Sequence, residues 1–149
     1  MPHPRCLSIS TSYKEQLRFL FLAKHALGDG SMDPEDGNHA VYHHELRRTL
    51  ERLGLRITAA ATFTAVYDRP AYDFLISLYN RAGFRNSEMF APLLAQYCGI
   101  PCLGGSPMVR GLSDDKHFMK RIAQSVGIRT APWQYYPVGG LPGAAPAFR

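Results

Sequence analysis

Residues able to do chemistry gather at several places along the chain, and each can be weighed by what its chemistry would require. His39 and His43 stand one helical turn apart, the spacing of a paired metal ligand, with His44 beside them. No HExxH motif accompanies them, and surface histidines are the expectation. Cys98 and Cys102 frame CGIPC, but structural zinc takes four ligands and no second Cys or His pair answers them, so buried structural thiols are expected. Gly28 and Gly30 follow an apolar run in the manner of a dinucleotide fingerprint. Asp33 occupies the place of the third glycine, and Asp29, Glu35 and Asp36 nearby would repel a pyrophosphate. The same acids miss the spacing of a calcium loop. Two readings stay open for them: a solvated, mobile acidic loop, or a substrate-facing loop in which Asp33 and Glu35 hold a ligand's ammonium group. The second has a physical basis, because loops at the carboxyl ends of strands border the ligand crevice of an open α/β sheet. No GxSxG elbow or Walker A sequence is present, which weakens hydrolase and P-loop readings.

These groups need elements to position them. The apolar run RFLFLAKHA at 18–26 predicts a buried strand feeding the loop LGDGSMDPEDG. From Asn38 to Leu53 the period becomes helical, with Tyr42, Leu46, Thr49, Leu50 and Leu53 on one face, Asn38 as N-cap and Gly54 as stop. Residues 55–63 are rich in Ile, Thr and Phe and predict a second strand; Tyr72 to Tyr79 predicts a third, covered on both faces. A helix capped by Asn86 or Ser87 runs to Tyr97 with Phe90, Leu93, Leu94 and Tyr97 inward, and 100–103 is a fourth strand. The expected fold is therefore α/β: an open, mostly parallel four-stranded sheet with flanking helices, followed by a helical segment. That segment, 108–126, divides near Ser113, which caps its second helix, with Asp114 and Asp115 in the first turn. Residues 128–133 look extended, and a Gly, Pro and Ala tail follows from Val138.

Composition narrows the partners. The 149 residues suffice for one domain with a core plus a smaller piece, and 46% apolar with 19% charged residues is the balance of a folded protein. A net charge of +5 favours anionic partners, but the basic residues are dispersed and no run of five occurs, which argues against nucleic acid. Apolar stretches fall short of a bilayer span, arguing against membrane insertion, and an odd cysteine count without a secretory leader points to the cytoplasm. A homodimer stays open.

The stretch at 97–133, YCGIPCLGGSPMVRGLSDDKHFMKRIAQSVGIRTAPW, is the most specific. Gly99, Ile100 and Pro101 form a turn and strand, Gly104 to Ser106 a small-residue turn, Asp115 and Lys116 open a helix, and Gly127, Ile128, Pro132 and Trp133 follow its end. In this order and spacing the segment resembles the junction between the N-terminal and ATP-binding domains of the D-alanine:D-alanine ligases, within the ATP-grasp superfamily. The upstream strand and helix order agrees over roughly residues 17–133.

The resemblance implies a Rossmann-like substrate domain at 17–105, the start of an ATP-grasp domain at 106–136, an N-terminal extension at 1–16 and a tail at 137–149. It implies ATP and Mg2+ as cofactors of the complete enzyme, and small carboxylate and amine substrates joined through an acyl phosphate. Lys116 is the implied phosphate-binding lysine. Family members carry His-Gly after the strand matching Tyr72 to Tyr79; here Asn80 and Arg81 occupy that edge of the substrate site. The adenine-side lysine and the magnesium-holding acids of the family are not matched, so the chain alone is expected to be incomplete for catalysis. A non-catalytic α/β binding module and one chain of a split enzyme are the alternatives.

Overall fold

The computed structural model describes residues 11–68, 72–79 and 87–135. A short helix α1 (Thr11–Gln16) leads into strand β1 (Arg18–Leu22), followed by helix α2 (His39–Arg52) and strand β2 (Arg56–Ala60). A 3-10 turn at Phe63–Val66 precedes strand β3 (Phe74–Ser77), and another at Ser87–Met89 leads into helix α3 (Phe90–Tyr97). Strand β4 (Cys102–Leu103) and helices α4 (Pro107–Asp114) and α5 (Lys116–Ser125) complete the order.

The four strands form one sheet in the order β2-β1-β3-β4, parallel throughout. β1 is central because its sequence, RFLFL, offers apolar side chains to both faces, and four of its five residues are buried. Phe21 pairs with Ala59 on one side and Ile76 on the other. The edge strand β2 instead alternates, leaving Arg56 and Thr58 outside.

The crossover β1-α2-β2 moves one way across the sheet, and the chain then steps back over β1 to reach β3. Crossovers of this kind are right-handed, so reversing direction puts the next helix on the opposite face. The core accordingly has two layers. Leu20, Leu22 and Leu75 meet Ala91, Leu94 and Ala95 of α3 on one face, while Phe21, Ala23 and Ala26 meet Leu46 and Leu50 of α2 on the other.

Several boundaries differ from expectation, each for a local reason. β1 ends at Leu22 because the backbone turns through Ala23–Ala26 (Ala26 N–H to the Ala23 carbonyl, 3.0 Å). β3 is confined to Phe74–Ser77, with Asp73 at its entrance accepting the Arg18 N–H at 2.7 Å. In α2 Leu46 and Leu50 pack inward as expected, joined by the buried Ala40 and His43, while Tyr42 and Leu53 are exposed. In α3 the small residues Ala91 and Ala95 face inward with Leu94, whereas Leu93 and Tyr97 are exposed. Asn38 stands at the N-cap of α2 without making a side-chain cap bond. Gly54 ends that helix at φ +84°, a conformation glycine adopts without penalty.

The helical segment divides at Asp115 rather than Ser113. The Asp115 carboxylate accepts the N–H groups of His117 and Phe118 at 3.1 and 3.0 Å, while the Ser113 hydroxyl donates back to the Val109 carbonyl at 2.8 Å. A charged acceptor caps the positive helix end better than a hydroxyl that already has a carbonyl partner. α4 rests on the body through Gly111, where Met89 approaches so closely that an added Cβ would meet its sulfur at 3.1 Å. Among the described residues no helix is long and apolar enough to cross a membrane.

Candidate functional site

Strand order 2-1-3-4 creates a switch point between β1 and β3, where connections leave in opposite directions and a crevice opens at the carboxyl ends. A cleft of about 490 Å³ lies there. The first turns of α2 build one wall with Asn38, His39, Tyr42 and His43; Leu78 and Tyr79 at the end of β3 form its floor. Glu88 and Arg110 close the far side, and Asp36 lies at the loop side.

The loop after β1 holds this wall in place. Asp36 accepts hydrogen bonds from Lys24 Nζ at 2.6 Å and His25 Nε2 at 2.9 Å. Lys24, and then His25, hold the Asp36 carboxyl down to about 2, and the same bond raises the Lys24 ammonium. Asp33 shapes the turn itself: its carboxylate accepts the N–H groups of Glu35 and Asp36 at 2.9 and 2.8 Å, which lowers its pKa, and its backbone pairs with Gly37. Farther along α2, His44 Nδ1 donates to the Gly28 carbonyl at 3.0 Å and Arg47 Nη1 to the Ala26 carbonyl at 2.6 Å. Gly30 lies against the His44 ring, where an added Cβ would come within 2.9 Å. Gly30 therefore serves close packing onto α2, and the carboxylates of Asp33 and Asp36 are tied by hydrogen bonds within the loop.

His43 is the unusual member. It is 1% exposed, not a surface histidine, and its ring lies 5.8 Å from that of His25, 6.2 Å from His39 and 6.1 Å from Tyr42. Its Nδ1 is buried without a hydrogen-bond partner among the described residues. Burial pushes its pKa below the ordinary value, the charges of His25 and His39 push the same way, and Asp36 opposes them.

Arg110 and Glu88 supply the cleft's opposite charges. Arg110 Nη2 donates to the Ser77 carbonyl at 3.4 Å, and its guanidinium lies against Gly104, where an added Cβ would collide with it at 2.5 Å. Among the described residues neither Arg110 nor Glu88 lies in an ion pair. The arrangement can bind a small ligand carrying both charges, and it offers a buried neutral imidazole beside it.

The residues singled out from sequence distribute unevenly. Asp33 and Glu35 fall in the loop next to the cleft but do not line it; Asp33 is occupied with its own turn, and Glu35 is exposed beyond it. Lys116 is exposed at the start of α5, with Nζ donating to the Ser113 carbonyl at 2.7 Å. Asn80 and Arg81 lie outside the described residues. Cys98 is exposed and Cys102 half-buried, so the CGIPC thiols are not a buried pair. Among the described residues no three His, Cys, Asp or Glu side chains gather as metal ligands. Sequence reasoning missed Tyr42, Glu88 and Arg110, and it assigned His43 to the surface. The available signal was topological: the crevice belongs between the first strand and the strand reached by stepping back across it.

The fold and cleft define an open α/β protein with a ligand crevice at its switch point. Compared with known proteins, the chain matches no family model and no curated protein.

Proposed function

We propose that this chain is the substrate-binding part of an ATP-dependent carboxylate–amine ligase of the ATP-grasp kind, acting in the cytoplasm, and that the switch-point cleft takes a small amino-acid zwitterion. In that reaction ATP phosphorylates a carboxylate, and an amine displaces phosphate from the acyl phosphate. The observation that carries the reading is the coexistence of Arg110 and Glu88 in one cleft, each without an ion-pair partner among the described residues. A guanidinium suits a carboxylate, and a carboxylate suits an ammonium. A cleft of about 490 Å³ has room for a small ligand of that kind.

Two further features support the ligase reading. Helix α5 carries no buried residue, and Phe118, Met119, Ile122 and Val126 leave an apolar stripe exposed, as a helix does when it opens a larger domain. Lys116 sits at the first position of that helix on a long flexible stem, and its bond to a carbonyl is one it can exchange for a phosphate oxygen. The free thiols at Cys98 and Cys102 fit a reducing compartment.

Calorimetric titration tests the assignment. Glycine and alanine bind, whereas N-acetylglycine, lacking the ammonium, and glycinamide, lacking the carboxylate, bind at least tenfold more weakly, as expected where a charge-assisted contact contributes about 1.5 kcal/mol or more. Arg110→Gln and Glu88→Gln each weaken amino-acid binding by a similar factor. Mg-ATP binds this chain weakly or not at all, since adenine-side residues are not matched. Equal affinity for glycine and both of its blocked forms would remove the zwitterion reading; tight Mg-ATP binding abolished by Lys116→Ala would make the chain a self-sufficient nucleotide site.

A further inference from the structure

We propose that the cleft is proton-gated: it accepts its ligand while the imidazole of His43 is neutral, and a proton on His43 displaces that ring into the cleft and empties it. The inference rests on reading the cleft as a ligand site and adds a control to it.

The argument starts from where a proton on His43 would find a partner. The ring is 1% exposed, between His25 at 5.8 Å and His39 at 6.2 Å, with Nδ1 unbonded among the described residues. On its own helix the neighbours are His39 and Tyr42, while His44 and Arg47 are committed to the Gly28 and Ala26 carbonyls. The N-terminus of α2, only four residues before His43, is the positive end of the helix dipole and disfavours a cation there.

The loop after β1 offers no relief. Asp36 is already shared by Lys24 and His25, and Asp33 is bonded to the N–H groups of its own turn, with His25 Nδ1 4.0 Å from its carboxylate. Across the cleft stand Tyr79, the cation Arg110 and the carboxylate Glu88, which lies in no ion pair among the described residues. Among the described residues, a protonated His43 reaches water or an uncommitted acid by turning toward the cleft, into the volume a ligand uses. Burial holds its pKa below the ordinary range, so the ring is neutral near pH 7 and the site is open. If the ligand binds only the neutral form, its affinity falls about tenfold for each pH unit below the His43 titration.

The test has two arms on the full chain. Without ligand, NMR follows the His43 imidazole carbons from about pH 8 to about pH 5. In parallel, amide hydrogen exchange, corrected for intrinsic rate, follows residues 38–43. Protection there is expected to fall about tenfold or more over the range in which His43 takes up its proton, and His43→Gln or His43→Phe flattens that dependence. The wild-type coincidence decides the matter even if both variants fail to fold. With ligand, glycine is titrated at about pH 7.5 and about one pH unit below the His43 midpoint that the NMR titration gives, where it remains largely a zwitterion; the wild-type affinity ratio is expected to be about tenfold. Protection that stays constant while His43 titrates, or equal glycine affinity at the two pH values, overturns the gate. Proton-dependent protection in a chain that binds no amino acid supports the gate and overturns the zwitterion reading instead.

Discussion

Asp36 and His43 lie within one small volume, yet their ionisation pulls stability along different parts of the pH axis. The Asp36 carboxyl is held at about 2 by Lys24 and His25, below its ordinary 3.8. A group whose folded pKa is depressed favours folding fully above the unfolded value, and that contribution is lost as pH falls from 3.8 through about 2. His43 is also depressed, from 6.5, but as a base whose neutral form the fold prefers. Between its folded value and 6.5 the unfolded chain binds the extra proton, so stability is complete above 6.5 and declines as pH drops below it. Two descending limbs are therefore expected in urea midpoints measured from neutral pH down to about pH 2. His43→Gln flattens the upper limb and leaves the lower; Asp36→Asn flattens the lower, and it lowers stability at neutral pH because Lys24 and His25 lose their shared acceptor. A single limb beginning only below pH 4 would mean that His43 is not held neutral by burial.

At the scale of elements, the caps of the last helices decide between two readings that the sequence leaves equivalent. Ser113 and Asp115 are both good cap residues, and either placement preserves the amphipathic pattern that follows. Only the bonds separate them: Asp115 accepts from His117 and Phe118, while Ser113 bonds back to Val109 inside α4. Asp115→Ala should cost about 1 kcal/mol of helix stability, whereas Ser113→Ala should be close to neutral, because a mid-helix serine bonded to a carbonyl four residues back contributes little. Circular dichroism melts of the two variants distinguish them, and a larger loss for Ser113→Ala would move the break back to that position. The same logic explains what was legible elsewhere. β1 and β3 were readable because a strand covered on both faces is continuously apolar, and α2 because Gly54 and Asn38 bracket it. The inward faces of α2 and α3 were read in part: Leu46, Leu50, Phe90 and Leu94 do pack inward, but Ala40, His43, Ala91 and Ala95 carry little hydrophobic signal, although small or half-apolar side chains are what a helix needs to lie close to a sheet. The cleft was legible only in position. Its charges arrive from Glu88 and Arg110, whose place beside α2 follows from strand order and has no local pattern.

The whole molecule divides its apolar surface unequally between the sheet body and the last two helices. In the body, Leu75 is fully buried between layers, and Leu75→Ala should cost about 2–5 kcal/mol. In α5, Phe118 is 55% exposed and Ile122 44%, with no layer over them among the described residues. The extended segment after α5 packs elsewhere on the helix: Trp133 Nε1 donates to His117 Nδ1 at 2.9 Å, and Lys120 lies 5.4 Å from the centre of the Trp133 ring. Among the described residues the apolar stripe is thus left bare while the cationic face is occupied. Ile122→Gln in this chain should therefore change stability by no more than about 0.5 kcal/mol, as an exposed substitution does. Sedimentation should show concentration-dependent self-association that Ile122→Gln combined with Phe118→Ser reduces, because a bare apolar stripe drives association. In a protein where an ATP-grasp layer covers α5, the same Ile122→Gln becomes a buried polar substitution and should cost about 2 kcal/mol or more. Denaturant unfolding of Ile122→Gln in both contexts reads this difference directly: a large cost already present in this chain would mean that the stripe is covered within these 149 residues, and a further layer would not be needed to explain it.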